Sequence, residues 1–115
     1  MPYLQVTSNI ALTDAEKSNA LQTLSKTVSE LLGKSEDYVM TSWSSVKMTM
    51  AASDAPAALI CLQSIRLPDD KIGELSKELT ERFGLIAECR SERIYISFEN
   101  VAPTHWAWNG KPFGG

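Results

Sequence analysis

The sequence predicts an α/β (α+β) fold in which two pseudo-repeated β-α-β units form a four-stranded mixed sheet with two helices on one face. Two segments have helical periodicity, and each is flanked by short alternating or apolar segments. In addition, Ser35–Val39 (SEDYV) after the first helix parallels Ser91–Tyr95 (SERIY) after the second. We therefore expect a single domain over residues 1–115, with the internal repeat at about 1–56 and 57–115.

The first half of the chain has the pattern strand, helix, strand. Tyr3–Thr7 alternates apolar and polar residues, as a half-buried strand does. Thr13–Glu16 (TDAE) has the pattern of a capping box, which predicts a helix start. Apolar residues then recur at helical spacing as far as Gly33, a suitable C-cap. Tyr38–Trp43 and Val46–Met50 are predicted as short strands.

The second half repeats this order. Ala57–Ile65 is apolar almost throughout, which is typical of a central strand. Pro68 and the two aspartates after it suit a helix start, and Ile72–Ile86 carries the apolar stripe. Ile94–Glu99 alternates as a last strand. The tail Val101–Gly115 is aromatic enough that we expect it to pack on the domain.

Right-handed crossovers would place both helices on the same face of this sheet. The other face is then left without a helix. Because the central strand shows no polar alternation, the sequence predicts that the open face is apolar. A second copy of the chain is the simplest cover for such a face, so we expect an oligomer.

Composition excludes several classes of function. The chain has 11 Lys and Arg against 14 Asp and Glu, and a net charge of −3 argues against non-specific nucleic-acid binding. No apolar segment approaches the roughly 20 residues of a membrane span, and the N-terminus lacks signal-peptide features. The two cysteines, Cys61 and Cys89, are expected to be reduced and buried, so we expect a cytoplasmic protein.

The chemistry-bearing residues are few. His105 is the only histidine, so one chain cannot build a Ser-His-Asp triad or a histidine metal site. There is also no glycine-rich phosphate loop and no CxxC motif. The classes that remain are cofactor-free acid–base or covalent chemistry by an amine, or no chemistry.

Pro2 and Lys34 are the candidates for amine chemistry. Removal of Met1 would leave Pro2 with a secondary amine, and burial or a nearby lysine would lower the pKa of that amine toward neutrality. Alternatively, Pro2 merely begins an edge strand. Lys34 follows the first helix, where it could serve the negative helix end or receive a substrate carboxylate. The local sequence does not discriminate between these roles.

Aromatic residues form a second group of candidates. Tyr95 alternates with the core residues of its strand and therefore points to solvent or into a subunit interface. Trp106, Trp108 and Phe113 could line an aromatic pocket, or they could belong to a packed tail.

Several motifs, in this order along the chain, resemble the macrophage migration inhibitory factor family of the tautomerase superfamily, which is related to D-dopachrome tautomerase. They are Met1-Pro2, Gly33-Lys34, Tyr38, Leu62–Ile65, Arg93–Ile96, Trp108-Asn109 and Phe113. The resemblance implies a homotrimer whose sheets enclose a solvent channel, with active sites at the subunit interfaces and no cofactor. It also implies an isomerase that interconverts the keto and enol forms of small aryl α-keto acids such as phenylpyruvate, and often isomerises dopachrome.

The resemblance assigns roles to particular residues. Pro2 would be the general base, Lys34 and the N–H of Ile65 would hold the substrate carboxylate or carbonyl, and Ser64 would lie beside them. Tyr95 would come from the neighbouring subunit. The aryl slot would be lined by Tyr38, Trp106, Trp108 and Phe113. Ser97 stands where the cytokine has asparagine, and Trp106 replaces a smaller aliphatic residue.

Two other functions stay open. A cytokine-like or partner-binding protein would use the trimer surface without catalysis, and its receptor is unknown. Relatives that hydrate or dehalogenate unsaturated acids add a carboxylate and arginine clamps; here Arg66 and Arg93 are interpreted as ordinary surface charges. Ala57 and Ile60 replace a CxxC pair of the cytokine, and Cys61 is expected in the core. Animal relatives leave cells without a signal peptide, so non-classical secretion is compatible with the sequence.

Overall fold

The computed structural model describes residues 1–115. Its main elements are β1 (Pro2–Ser8), α1 (Asp14–Leu32), β2 (Met40–Ser45), β3 (Ala58–Ile65), α2 (Ile72–Ala87) and β4 (Ile94–Val101), followed by the short strands β5 (Ala107–Trp108) and β6 (Lys111–Pro112). The four-stranded sheet has the order β2-β1-β3-β4. β1 pairs parallel with β2, β3 pairs parallel with β4, and β1 and β3 are antiparallel. The predicted fold class and mixed sheet are confirmed.

Helix α1 begins and ends where its sequence signals predict. The Thr13 hydroxyl accepts a hydrogen bond from the Glu16 N–H at 3.1 Å, and the Glu16 carboxylate accepts one from the Thr13 N–H at 2.8 Å. Both donors would otherwise be unpaired at the helix start. At the other end Gly33 adopts φ 64°, which a residue without Cβ reaches at little cost.

Both helices pack on one face of the sheet and share one core. Leu24 and Val28 of α1 and Leu75 and Phe83 of α2 are inaccessible to solvent. Burial of each such side chain contributes about 1.5–3 kcal/mol to folding. Neither helix is both long enough and apolar enough to span a lipid bilayer.

The predicted strand at Val46–Met50 is wrong, because this segment is part of a loop. The Val46 N–H still donates to the Ser8 carbonyl at 3.0 Å, but the chain then leaves the sheet. Beyond that point the backbone carbonyls of the segment accept hydrogen bonds from side chains and not from a neighbouring strand. Asn9 donates to the Met48 carbonyl at 3.2 Å, and Arg93 donates to the Met50 carbonyl at 3.2 Å.

The other boundary errors are smaller. Tyr38 lies in the short 3₁₀ turn Glu36–Tyr38, so β2 begins at Met40 and ends at Ser45 rather than spanning Tyr38–Trp43. The Ser35 hydroxyl accepts a bond from the Asp37 N–H at 3.2 Å and stabilises this turn. Propensity alone does not reveal such a local capping bond.

The expectation of an apolar open face is wrong for the middle of that face. Alternate β3 residues, such as Ile60 and Leu62, are buried under the helices, whereas Cys61 and Gln63 point to the open side and are half-buried. The Gln63 amide donates to Glu99 on β4 at 2.7 Å. Cys61 therefore lies outside the core, unlike Cys89, which is buried. The pattern of one strand cannot show the polar residues that its neighbours contribute.

The aromatic tail packs on the domain as a hairpin. Asn109 and Gly110 connect β5 to β6 with φ 53° and 82°, the left-handed pair of a tight hairpin turn. The Phe113 N–H donates to the Trp106 carbonyl at 2.9 Å, and the Gly114 N–H donates to Pro103 at 3.1 Å. These bonds fix the hairpin beside the end of the sheet where β1 begins.

Candidate active site

A cleft of about 580 Å³ lies where β1 begins. It is lined by Met1–Tyr3, by Asp37–Met40, by Gln63 and by Trp106–Trp108. Most of these residues are hydrophobic, and the volume is within the range of small-molecule sites. The cleft thus brings together the N-terminus, the start of β2, the end of β3 and the hairpin.

Pro2 forms part of the cleft floor. Its side chain is fully buried, and its register partner in β3 is Ser64. Because β1 lies between β2 and β3, the alternative that Pro2 begins an edge strand is wrong. In the described chain the Pro2 nitrogen is an amide with Met1 and has no basicity; removal of Met1 would turn it into a secondary amine.

The Lys34 side chain reaches the end of β3. Its ammonium donates to the Ser64 hydroxyl at 2.8 Å and to the Ile65 carbonyl at 2.7 Å. Ser64 is fully buried, and its hydroxyl also donates to the Ile65 carbonyl at 2.9 Å. The Lys34 backbone N–H, by contrast, donates to the Ser29 carbonyl at 3.1 Å. The C-terminal end of the helix is therefore bound by the backbone N–H of Lys34, and the Lys34 ammonium lies beside Pro2.

Positive charges crowd this end of the sheet. Burial, the charge of Lys34 and the charge of Arg66 lower the pKa of the Met1 amino group from 8.0 to about 6. Burial and Arg66 also lower the pKa of the Lys34 ammonium. Arg66 itself is exposed and does not line the cleft, as expected of a surface charge. A base placed here is favoured in its neutral form.

The outer wall of the cleft is aromatic. Tyr38 and Trp108 meet edge to face, with ring centroids 5.7 Å apart and planes at 88°. Trp106 lines the same cleft. Phe113 does not line it; this residue is half-buried and holds the hairpin through its backbone bond to Trp106.

Two predicted site residues lie elsewhere in the chain. Tyr95 and Ser97 are on the open face of β4, opposite Leu59 and Cys61. The β4 partner of Ser64 is Asn100, so Tyr95 is roughly 17 Å along the strand from the Pro2 end. Ser97 lines a smaller depression of about 180 Å³. One chain does not bring either residue to Pro2, and their contribution from a neighbouring subunit stays a prediction.

Sequence reasoning missed part of the cleft lining. Tyr3, Met40 and Gln63 belong to it, as does Asp37. The alternation of β1 placed Tyr3 opposite the core, but no sequence signal showed what it would meet. Asp37 immediately precedes Tyr38, and Gln63 lies within the motif Leu62–Ile65; these were the available indications. No group of three or more His, Cys, Asp or Glu side chains is arranged to hold a metal ion.

The sequence matches the family description "Macrophage migration inhibitory factor (MIF)" over residues 1–114. The chain therefore belongs to the macrophage migration inhibitory factor family, within the tautomerase superfamily. Membership of this superfamily supports an isomerase in general. Proteins of the family are typically oligomeric, which is compatible with the predicted homotrimer. No match was found among curated protein sequences.

Solved structures agree with this assignment. A homologue of the factor from Prochlorococcus marinus is 33% identical with a TM-score of 0.89, and the match covers 97% of this chain and 99% of that one. The Toxoplasma gondii factor is 26% identical with a TM-score of 0.90, over 96% and 99% of the two chains. Leishmania major MIF2 is 28% identical with a TM-score of 0.87, over 98% and 97%.

Proposed function

We propose that the chain is a cofactor-free keto–enol tautomerase that acts on aryl α-keto acids such as phenylpyruvate, with Pro2 as the general base after removal of Met1. One observation carries the proposal: the buried Pro2 lies in an aromatic cleft beside the Lys34 ammonium. Isomerisation of dopachrome-type compounds is a second activity of the same site.

The surroundings of Pro2 suit a base that works near neutral pH. Burial and the charges of Lys34 and Arg66 already lower the pKa of the Met1 amine to about 6. The Pro2 amine that replaces it would meet the same charges one residue further along the chain. Its neutral nitrogen takes a proton from the carbon next to the substrate carbonyl, and the protonated amine then delivers a proton to the carbonyl oxygen to give the enol; ketonisation runs the same two transfers in reverse.

Lys34 supplies the complementary charge. As the proton leaves the carbon, negative charge develops on the carbonyl oxygen, and a nearby ammonium in a partly buried site stabilises it. Lys34 and the N–H of Ile65 hold the substrate carboxylate or carbonyl, with Ser64 beside them. The flat aryl group then lies between Tyr38 and the indoles of Trp106 and Trp108.

Each complete site is proposed to lie between two subunits of a homotrimer. Tyr95 is 64% exposed on the open face, far from Pro2 of its own chain, and is free to contact a neighbour. Ser97 lies on the same face. We assign both to the site of the adjacent subunit, where the short Ser97 hydroxyl leaves more room than an asparagine would.

The decisive experiment is the ultraviolet-monitored ketonisation of enol-phenylpyruvate by two forms of the protein. One form lacks Met1, as verified by intact mass, and the other retains it. We expect kcat/KM to be about 10²- to 10⁴-fold higher for the trimmed form, because an amide nitrogen cannot act as a base.

Light scattering on both forms is the control for the oligomeric state. Equal activity of the two forms would contradict the role of Pro2. Inactivity of both would contradict the phenylpyruvate reaction and would leave the partner-binding function as the alternative.

A further inference from the structure

Asp37 is the only residue of the cleft lining whose side chain is charged at neutral pH. No ion pair or hydrogen bond engages its carboxylate, and only its backbone N–H is bound, to the Ser35 hydroxyl. The neighbouring Glu36 is different, because its carboxylate accepts a bond from the Ser25 hydroxyl of α1 at 3.1 Å and does not line the cleft. The turn that carries both acids therefore leaves one of them available to a ligand.

Three aromatic rings lie in the cleft with Asp37. Tyr38 and Trp108 stand at 88° to one another, and Trp106 lines the same cleft. The faces of such rings carry partial negative charge and bind organic ammonium groups. Tyr38 is 43% exposed and Trp108 54%, so much of each ring is accessible. Lys111, which pairs with Trp108 across the hairpin, is not part of the cleft lining.

We propose that Asp37, Tyr38, Trp106 and Trp108 form a cation subsite at the outer end of the cleft. Lys34 is not part of the cleft lining, but its ammonium lies beside the cleft at Ser64, the register partner of Pro2, so charges of opposite sign flank the cleft. This polarity fits a zwitterionic substrate: an aryl α-keto acid whose carboxylate binds at Lys34 and whose ring carries an alkylammonium group at the far end. The substrate class rests on the proposed tautomerase reaction, whereas the subsite itself does not.

The binding test needs no turnover. Choline and its neutral isostere 3,3-dimethylbutan-1-ol are titrated into the Met1-free protein, and the indole N–H signals of Trp106 and Trp108 are followed by NMR. We expect choline to bind about 2- to 5-fold more tightly than the alcohol, the size of a cation–π contact at an exposed site. Equal affinities would overturn the subsite.

The Asp37→Asn variant tests the contribution of the carboxylate to binding separately from that of the aromatic rings. We expect this variant to weaken choline binding about 2- to 5-fold and to leave the alcohol unchanged, as one exposed charge pair would. Asp54→Asn is the matched control, since Asp54 is exposed, outside the cleft and without a side-chain partner. Loss of choline binding in both variants, or in neither, would contradict a specific role of Asp37.

The kinetic test compares phenylpyruvate with its para-trimethylammonio derivative. We expect a KM about 2- to 5-fold lower for the cationic substrate, and Asp37→Asn should reduce the ratio of the two KM values. Turnover of phenylpyruvate with no preference for the cation would overturn the subsite alone. Choline binding without any turnover would support the subsite and contradict the tautomerase reaction.

Discussion

The segments that follow the two helices have the same local backbone structure but different roles. After α1, Gly33 turns the chain with φ 64° and a 3₁₀ turn at Glu36–Tyr38 leads into β2; after α2, Glu88 turns it with φ 53° and a 3₁₀ turn at Ser91–Arg93 leads into β4. Asp37 of the first segment corresponds to Arg93 of the second in the repeat. One segment lines the open cleft, and the other holds a loop closed.

The two segments differ in how their cations are bonded. The Arg93 guanidinium donates to the carbonyls of Pro56 at 3.0 Å, Met50 at 3.2 Å, Ser53 at 3.1 Å and Ala55 at 3.2 Å. It uses four of its five N–H groups, and the interpretation of Arg93 as an ordinary surface charge is therefore wrong. The Lys34 ammonium gives two bonds to β3 and also bonds the Met1 amine, a partner that removal of Met1 would take away. A saturated cation stabilises the fold, whereas an unsaturated one beside other charges can act on substrate.

Lys34→Met tests the functional side of this comparison. We expect kcat/KM for phenylpyruvate to fall about 10- to 100-fold, because a charged hydrogen bond to the carboxylate contributes about 1.5–3 kcal/mol. The stability should change by less than about 1 kcal/mol, since Ser64 still donates to Ile65 and the repulsion from Arg66 is relieved.

The matched control for this variant is Lys26→Met, at an exposed position of α1. It should keep the activity of the natural sequence. A Lys34→Met protein within twofold of that activity would remove Lys34 from the site.

Arg93→Met tests the structural side. We expect the free energy of unfolding in urea to fall by about 2 kcal/mol, because four carbonyls of the loop lose a charged donor. The kcat on phenylpyruvate should be unchanged in the folded protein, since Arg93 does not line the cleft.

Arg90→Met is the control, because Arg90 pairs only with Glu92 and both side chains are largely exposed. Such a pair contributes little, so its removal should cost under about 0.5 kcal/mol. If Arg93→Met and Arg90→Met lower the free energy of unfolding equally, the loop bonds of Arg93 contribute no more than an exposed ion pair does.

The turn that Arg93 holds gives the smallest expected effect. Ala51 and Ala52 adopt φ 53° and 59° between Met50 and Ser53, whose backbones exchange two hydrogen bonds at 3.0 Å. An alanine in the left-handed conformation is strained by about 1–2 kcal/mol. Glycine removes this strain, but the greater conformational entropy of its unfolded chain offsets part of the gain. We expect Ala52→Gly to raise the free energy of unfolding by about 0.5 kcal/mol in a urea titration, and a clear decrease would contradict the strain.

The comparison also explains what sequence could predict. Capping residues and periodicity are local, so both helices, the order of the main strands and the cap at Gly33 followed from the sequence. The loop at Val46–Met50 did not, because its bonds come from Asn9 and Arg93, far along the chain. The sequence offered Pro2 and Lys34 as candidates, and the resemblance gave them their roles. Asp37 was missed because its significance depends on its three-dimensional proximity to the cleft.

The central claim is that the amine of Pro2 is the base and that its neighbours tune it. The most direct measurement is an NMR titration of ¹⁵N-labelled Pro2 in the Met1-free protein, alongside the pH dependence of kcat/KM. We predict one pKa in both experiments, below the ordinary α-amino range of about 7.7–8.0, with activity rising as pH rises through it because the neutral amine is the active form. Lys34→Met should raise that pKa, since the protonated amine loses a repelling charge. Activity that stays constant while Pro2 titrates would contradict the account.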